Sequence, residues 1–263
     1  MSCSSVKKTE FTVKSVLVTG SNRGIGLGLV KRFLELPNPP EWIFATTREL
    51  AGCQSKLALK HPNLVVLELD VTDPNSIKAA AKRVEAHLQG HGLNLLINNA
   101  GMLRVTTMEN ENVETMAIVY LTNTVGPLLM SQEFLPLLKK AAQQSTQTGL
   151  SCSKAAILNM SSIAASIEVV PLWELRKTPS YRCSKAALNM ITRCLSLEYK
   201  DCGILCTSIH PGWVKTRMGT EAVGPLTHQP GLPLTLSILK IISTLSEKEN
   251  GSFMGWDGKI YPW

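Results

Sequence analysis

A tyrosine and a lysine lie four residues apart, at Tyr181 and Lys185, within a stretch whose apolar residues recur at helical spacing. At this separation the two side chains lie on the same face of a helix. A free phenol titrates at about pH 10, so a tyrosine alone is a poor acid at neutral pH. A neighbouring ammonium favours the phenolate and lowers the phenol's pKa. The pair is therefore a candidate proton donor; the alternative is a partly buried tyrosine beside an exposed lysine.

A glycine-containing loop, Thr-Gly-Ser-Asn-Arg-Gly-Ile-Gly, occupies residues 19–26 between an apolar run and a helical pattern. Glycines let the backbone turn tightly and approach a pyrophosphate, and a helix N-terminus offers N–H donors to it. The glycine spacing differs from the G-x-G-x-x-G fingerprint of dinucleotide-binding loops. We predict a dinucleotide-binding loop here, with a plain strand-to-helix turn as the alternative.

Short apolar runs alternate with longer helical patterns along the chain. The predicted strands are 15–19, 42–46, 64–69, 93–97, 155–160 and 204–209, and the predicted helices are 24–36, 75–89, 109–124, 127–142, 181–200 and 234–246. The strands are almost continuously apolar, which is typical of parallel strands covered on both faces. We therefore predict an α/β fold, a Rossmann-like doubly wound parallel sheet in three α/β/α layers. In such sheets ligands bind beyond the carboxyl ends of the strands.

The 263 residues contain no internal repeat and no linker, so 1–263 is predicted to be a single dinucleotide-binding and catalytic domain. The polar segment 139–153 is predicted to be a loop-like insert in its middle. The segment 217–233 contains three glycines and three prolines, and we expect a mobile lid over the substrate there.

Charge and cysteine content argue against several classes of protein. The net charge is +7, but the basic residues are scattered without interleaved aromatics, so we expect no nucleic-acid partner. The seven cysteines are irregularly spaced and no export signal precedes them, which indicates reduced thiols in a cytoplasmic protein. The apolar stretch 234–245 is shorter than the roughly twenty residues of a membrane span, so no membrane association is expected. The histidines show no metal-ligand spacing, and no metal is expected.

Several motifs, in this order, resemble those of the short-chain dehydrogenase/reductase family. The matching residues are Thr19, Gly20, Gly24 and Gly26 of its T-G-x-x-x-G-x-G motif, Asp70-Val71, the N-N-A-G loop 98–101, Asn123, Ser162, Tyr181 and Lys185 of its Y-x-x-x-K motif, and Pro211-Gly212 with Thr216. Within this family the chain is most similar to the sniffer-type carbonyl reductases, through FLPLLKKAAQ at 134–143, ILNMSSIAASI, HPGWVKTRMG at 210–219 and the tail NGSFMGWDGKIYPW.

The resemblance implies four catalytic residues. Tyr181 would protonate the substrate oxygen, Ser162 would hold that oxygen, and Lys185 would tune the tyrosine and bind the nicotinamide ribose. Asn123 would order a water between Lys185 and solvent, and it would also cap or kink a helix. Ser161 is the rival of Ser162; we prefer the second serine because the family's reactive serine ends an N-x-x-S pattern.

The resemblance also implies a set of cofactor-binding residues at the strand ends. These are Gly20, Asn22, Arg23, Gly24, Ile25, Gly26, Arg48, Asp70, Val71, Asn99, Ala100, Gly101, Tyr181, Lys185, Pro211, Gly212, Val214 and Thr216. The alternative for Asp70 is a loop-capping acid.

The residue at the end of the second predicted strand indicates which nicotinamide is bound. An NAD enzyme usually places an acid there to bind the ribose hydroxyls, but this chain has Arg48. A carboxylate would repel the additional phosphate of NADP, whereas a guanidinium binds it bidentately. Arg23 could reach the same phosphate. We predict NADP(H) as the cofactor; the alternative is that both arginines are solvated surface charges.

These inferences together predict NADPH-dependent reduction of quinones, aldehydes and ketones to alcohols. The alternatives are an NADP-dependent alcohol or steroid dehydrogenase and a non-catalytic NADP-sensing or interaction protein. The segment between Ser162 and Tyr181 is longer than is usual in the family, and 169–177 should form an additional apolar lobe beside a small-molecule carbonyl substrate. The predicted helices 109–124 and 127–142 correspond to the family's dimer surface, so a homodimer is expected.

Overall fold

A computed structural model of the chain describes residues 11–50, 61–174, 176–212 and 231–263, with the side chains of 231–234 excluded. One sheet contains seven parallel strands in the order β3-β2-β1-β4-β5-β6-β7. The strands are β1 (Ser15–Val18), β2 (Trp42–Thr47), β3 (Leu64–Glu68), β4 (Leu95–Asn98), β5 (Ala156–Met160), β6 (Leu205–His210) and β7 (Phe253–Gly255). The strand order reverses between β1 and β4, and this is where a doubly wound sheet opens its binding crevice.

Helices cover both faces of the sheet. They are α1 (Gly24–Leu34), α2 (Pro74–Leu88), α3 (Val113–Tyr120), α4 (Gly126–Gln144), α5 (Pro179–Glu198) and α6 (Gly231–Ile242). Buried residues of α1 and α6 form one hydrophobic core with the sheet, and those of α2, α4 and α5 form the other. Every residue of β1, β4, β5 and β6 is buried, as strands covered on both sides require. The predicted doubly wound, three-layer α/β fold is confirmed.

The boundaries of some elements differ from those predicted. Strand β7 was not predicted, because three residues in a glycine-rich tail carry too short an apolar pattern to recognise. The predicted helix 109–124 begins at Val113, and a π-helical turn, Leu121–Val125, joins it to α4. The polar segment 139–153 is only partly a loop, since α4 continues to Gln144. Two consecutive buried alanines of α4, Ala141 and Ala142, keep this polar end of the helix on the core.

Among the described helices, one continuous helical stretch, Val113–Gln144, is long and apolar enough to cross a membrane by length and composition alone. Part of this apolarity belongs to the protein core. Met130, Phe134 and Leu138 of α4 are fully buried in the cluster between this helix and the sheet.

Candidate active site

The glycine loop is packed against its own backbone and against the loop that follows β4. Gly20 has a φ of +65°, a conformation that residues with a Cβ rarely adopt. A Cβ on Gly26 would lie 2.5 Å from the Gly20 carbonyl oxygen and 2.6 Å from Asn99 Nδ2. The tight turn predicted at these glycines is present, and Gly26 is required for packing against the protein's own backbone; the approach to a pyrophosphate stays a prediction.

Replacing Gly26 by alanine should destabilise the fold, because the new methyl group would meet backbone that cannot move aside. Overpacking of this kind costs about 1–3 kcal/mol in the free energy of unfolding. Lys31→Ala, at an exposed position of the same helix, is the control and should leave the free energy of unfolding almost unchanged. Chemical denaturation measures both; equal losses in the two variants would contradict the explanation.

The N-terminus of α1 is open to an anion. Arg23 is the residue that precedes the helix, and its side chain makes no capping hydrogen bond. By contrast, Asp73 caps α2 and Asn112 caps α3 through their side-chain oxygens. The first N–H groups of a helix have no intrahelical partner, so those of α1 can bind the pyrophosphate of a dinucleotide.

Arg23 and Arg48 lie on two loops that are joined directly. Ser21 N donates a hydrogen bond to the Thr46 carbonyl oxygen at 2.8 Å, which ties the glycine loop to the end of β2. Both arginines are exposed, and neither forms an ion pair within the described ranges of the chain. The donor set therefore fits the phosphate of an NADP ribose.

The N-N-A-G loop is held to the glycine loop by Thr19. Its hydroxyl oxygen accepts hydrogen bonds from Asn99 N and Ala100 N, each at 2.9 Å. Asn99 Nδ2 donates to the Thr19 and Gly20 carbonyl oxygens at 2.8 and 3.1 Å. Both amide hydrogens of Asn99 are thus used to fix the two loops as one unit, and its predicted cofactor contact must come from other atoms.

Asn123 lies in the π-helical turn and is fully buried. Its Oδ1 accepts from Met102 N at 2.8 Å, while Nδ2 donates to the Met102 carbonyl oxygen at 2.8 Å and to Ser184 Oγ at 3.0 Å. The amide has no donor left for a water, so the predicted water would have to contact Oδ1 or the backbone. What the structure gives this side chain is a positioning role, since it joins the residue after Gly101 to α5.

Some of the remaining predicted cofactor residues lie within the described ranges, where they contact neighbouring backbone or side chains. Others lie outside those ranges. Asp70 Oδ1 accepts from Thr72 N and Thr72 Oγ1 at 2.8 and 2.7 Å, which is the loop-capping arrangement. Val71 is buried, and its carbonyl oxygen would lie 2.8 Å from a Cβ on Gly126. Pro211 is buried and Gly212 has a φ of +75°. Val214 and Thr216 lie outside the described residues, as does 217–230 of the predicted lid.

Ser162 lies beside Tyr181, and its hydroxyl acts to lower the pKa of the phenol. Ser162 follows β5 and caps a short 3-10 helix, Ile163–Ala165, with its Oγ accepting from Ala164 N at 3.2 Å. The rival, Ser161, is buried, and its Oγ has no hydrogen-bond partner among the residues that the structure describes. The structure therefore pairs the tyrosine with the second serine.

Lys185 is 5% exposed and lies one helical turn beyond Tyr181. Its Nζ donates to the Met160 carbonyl oxygen at 2.7 Å and lies 5.9 Å from the centroid of the Tyr181 ring. Within the described part of the molecule no carboxylate forms an ion pair with it. Burial lowers the pKa of Lys185 to about 8.

A sequence model of the short chain dehydrogenase family matches residues 14–224 of the chain. The protein belongs to this family of oxidoreductases. The NADPH-bound carbonyl reductase from chicken fatty liver is 55% identical and superposes with a TM-score of 0.92, covering 98% of this chain and 97% of that one. The carbonyl reductase Sniffer of D. melanogaster is 39% identical and superposes with a TM-score of 0.88, covering 96% of this chain and 100% of that one. Human 17-beta-hydroxysteroid dehydrogenase type 2 is 32% identical over 212 residues, which span 78% of this chain and 48% of that protein.

The pKa of the tyrosine in this short-chain dehydrogenase differs in direction from the prediction. Burial raises the pKa of Tyr181, and the hydrogen bond from Ser162 only partly opposes that effect. The prediction of a phenol acidified by Lys185 is therefore wrong for this structure. The ammonium is itself desolvated and is bound by the Met160 carbonyl oxygen, so desolvation of the phenol dominates. The phenol therefore holds its proton at neutral pH, but a raised pKa makes it a weaker acid than a free phenol.

Sequence reasoning missed a row of buried polar residues beneath the site of this dehydrogenase. Asn98 Nδ2 donates to Asn159 Oδ1 at 2.9 Å, and Asn159 Nδ2 and Ser208 Oγ each donate to Thr192 Oγ1 at 2.8 Å. These hydrogen bonds hold α5 against β4, β5 and β6. They therefore set where Lys185, on the same helix, lies relative to the sheet. Polar residues at equivalent ends of neighbouring apolar strands, Asn98 and Asn159, were the signal that could have revealed it.

Proposed function

We propose that the protein is a carbonyl reductase that uses NADPH to convert quinones, aldehydes or ketones into alcohols. The observation that carries the proposal is the grouping of Ser162 and the half-buried Tyr181 with the ammonium of Lys185 next to them. The solved carbonyl reductases that are 55% and 39% identical support this substrate class.

The cofactor that we propose is NADP(H). The uncapped N-terminus of α1 would bind its pyrophosphate, and Arg23 and Arg48 would bind the phosphate on its ribose. Lys185 would bind a hydroxyl of the nicotinamide ribose through the ammonium that now donates to Met160. When bound, the reduced nicotinamide supplies the hydride that the carbonyl carbon accepts.

The side chains supply the proton and hold the substrate oxygen. The Ser162 hydroxyl donates a hydrogen bond to the carbonyl oxygen and stabilises the negative charge that builds on it. The Tyr181 hydroxyl donates its proton to the same oxygen, which completes the alcohol. The ammonium of Lys185 stabilises the phenolate that remains and helps to return a proton to it.

Reduction should slow as the pH rises through about 8, because the pKa of Lys185 is lowered to about 8 and its ammonium is required. The pKa of Tyr181 is raised, so the phenol stays protonated over this range. Loss of one essential proton predicts a fall in kcat/KM of about tenfold for each pH unit above that value. The measurement is kcat/KM from pH 6 to 10. Lys185→Arg, which stays charged, is the control and should lose the fall; a flat wild-type profile to pH 9 would contradict the role of Lys185.

A second candidate is an NADP-dependent alcohol or steroid dehydrogenase, supported by the 32% identity to the human steroid dehydrogenase. Oxidation requires a phenolate at the start, and the raised pKa of Tyr181 disfavours its formation. A non-catalytic NADP sensor is disfavoured, since such a protein would not need the Ser162–Tyr181–Lys185 arrangement.

Loss of NADPH absorbance over a panel of quinones, aldehydes and ketones tests the proposed reaction. We expect turnover with at least one apolar carbonyl, and faster reduction than oxidation at neutral pH. NADP-dependent oxidation of alcohols or steroids that exceeds reduction would favour the second candidate. NADPH binding without turnover on any substrate would favour the sensor.

We also propose a cytoplasmic homodimer. Val113, Met116 and Tyr120 are exposed apolar residues spaced three and four apart on α3, so they lie on one face of the helix and suit contact with a second copy. Light scattering after size-exclusion chromatography measures the mass, and a monomer at micromolar concentration would contradict this proposal.

A further inference from the structure

The described chain between Ser162 and Tyr181 forms a segment that we call the connecting lobe, residues 166–174 and 176–178. At its start, the short helix that Ser162 caps leads directly into it. At its end, α5 begins at Pro179 and carries Tyr181 in its first turn. Both hydroxyl groups of the site are therefore attached to the ends of this one segment, and its position bears on any substrate that they hold.

The backbone of the connecting lobe is strained. Of the four non-glycine residues with positive φ in the described part of the chain, three lie here: Val170 at +38°, Leu172 at +57° and Thr178 at +38°. Two of the three are β-branched, for which this conformation is unusual. Strain of this kind persists only where the surroundings hold it, and it is concentrated at functional sites.

Arg182, the residue after the catalytic tyrosine, makes most of the contacts that hold the lobe. Its Nε donates to the Lys177 carbonyl oxygen at 2.7 Å, and Nη2 donates to the carbonyl oxygens of Pro171 and Arg176 at 2.7 and 2.8 Å. The guanidinium carbon lies 5.6 Å from the centroid of the Trp173 ring. One planar cation thus joins four residues of the lobe to α5.

No carboxylate forms an ion pair with Arg182 in the ranges that the structure covers. Its positive charge instead interacts with carbonyl dipoles and with the face of an aromatic ring. A guanidinium can make both interactions together, because its N–H donors lie in one plane and its face is left free to stack. The two ends of the lobe have separate anchors. Glu168 N donates to the Trp263 carbonyl oxygen at 3.0 Å, and Thr178 N donates to the Thr106 carbonyl oxygen at 3.1 Å. The middle of the lobe has a turn of its own, in which Arg176 N donates to the Leu172 and Trp173 carbonyl oxygens at 2.8 and 3.2 Å, and Arg182 ties that turn to α5.

The part of the lobe that Arg182 fixes presents apolar side chains to the outside. Val169 is 51% exposed and Leu172 is 46% exposed, and Val170 lies between them. Exposed apolar residues grouped on one segment mark a binding surface. The segment that carries them is attached to Ser162 at one end and to Tyr181 at the other, which suits the apolar part of a substrate whose carbonyl group is held by those two hydroxyls.

We propose that Arg182 is a positioning residue that holds the connecting lobe in its strained conformation, and that the lobe so held binds the apolar body of large carbonyl substrates. The inference rests on the proposed reductase function. Small carbonyl compounds are held by Ser162 and Tyr181 alone and do not reach the lobe. Arg182 therefore sets the preference for large over small substrates without taking part in the proton transfer.

The kinetic test compares Arg182→Met with the wild type on a fused-ring ortho-quinone and on 2,3-butanedione. For the quinone we expect KM to rise about tenfold or more, as loss of an apolar contact surface does, with kcat little changed. For butanedione we expect both constants to stay near those of the wild type. Arg182→Lys should fall between the two, because an ammonium can bind one carbonyl oxygen but cannot span three in a plane. Arg193→Met, an exposed arginine on the same helix, is the matched control and should leave both substrates unaffected.

Hydrogen exchange of the backbone amides provides a readout that does not depend on turnover. In Arg182→Met and Arg182→Lys, amides of 166–178 should exchange faster, whereas those of 19–26 should not. Unchanged exchange in the lobe would overturn the proposal, as would an equal loss on both substrates through kcat. If the wild type reduces no carbonyl compound, the proposed function fails, and the exchange experiment still decides whether Arg182 holds the lobe. Arg182→Lys keeps the test available if the methionine variant does not fold.

Discussion

A Tyr181→Phe variant is expected to lose turnover of carbonyl substrates by about 10²–10⁴-fold, the contribution that a positioned general acid usually makes. The phenyl ring keeps the packing of the site and its contact with Lys185 at 5.9 Å, but the only proton at this position is gone. The hydrogen bond to Ser162 is lost as well. The affinity for NADPH should be unchanged, because the phosphates that we expect to dominate its binding contact the N-terminus of α1, Arg23 and Arg48 rather than the phenol hydroxyl.

The experiment measures kcat from NADPH oxidation and Kd for NADPH from fluorescence titration. Tyr199→Phe is the control, since Tyr199 ends the same helix and its ring lies beside Lys139 rather than at the site. Substantial turnover retained in Tyr181→Phe would mean that the proton comes from another group, and the assignment of the site would fail.

An Arg48→Glu variant should change the cofactor preference. A charge-assisted hydrogen bond to a phosphate contributes about 1.5–3 kcal/mol, so its loss alone should raise KM for NADPH by about 10–100-fold. The new carboxylate adds repulsion of the ribose phosphate, whereas it can accept hydrogen bonds from the free ribose hydroxyls of NADH. KM for NADH should therefore stay the same or fall.

The measurement is KM for each cofactor at low salt with one carbonyl substrate. Arg83→Glu, an exposed arginine on α2, changes the net charge equally and should leave both constants unaltered. If KM for NADPH does not rise in Arg48→Glu, the phosphate is bound elsewhere. Arg23→Glu then tests whether the other arginine of the pair binds the phosphate, in which case KM for NADPH should rise in that variant.

The sheet was predictable because it depends on local patterns. Short, largely apolar runs such as 204–209 favour strands covered on both faces, and the glycines at 20, 24 and 26 indicate the turn that follows β1. The short strand β7 was not predictable from its three residues. It pairs with β6, and that pairing depends on the rest of the fold.

The site was predictable in its residues but not in its electrostatics. Tyr181 and Lys185 are adjacent because helical spacing makes them so, and a near neighbour of opposite charge suggested a lowered phenol pKa. Burial decides the direction instead, and burial depends on every element packed around the pair. The same is true of Asn123 and Asn99, whose amides the surrounding loops use as structural donors. The three carbonyl oxygens around Arg182 come from a loop whose path no sequence pattern describes.

The buried ammonium of Lys185 lowers the stability of the folded protein while it serves the proposed reaction. Its pKa is lowered from 10.5 to about 8, so the folded state disfavours the charged form. Below pH 8 the lysine is charged in both the folded and the unfolded chain, so folding bears the whole cost of burying the charge. Between pH 8 and 10.5 the unfolded chain binds more protons than the folded one, so the free energy of unfolding rises with pH. An uncharged side chain at this position would suit the core better at neutral pH. Selection for thermostable variants would therefore tend to discard the residue on which proton delivery depends.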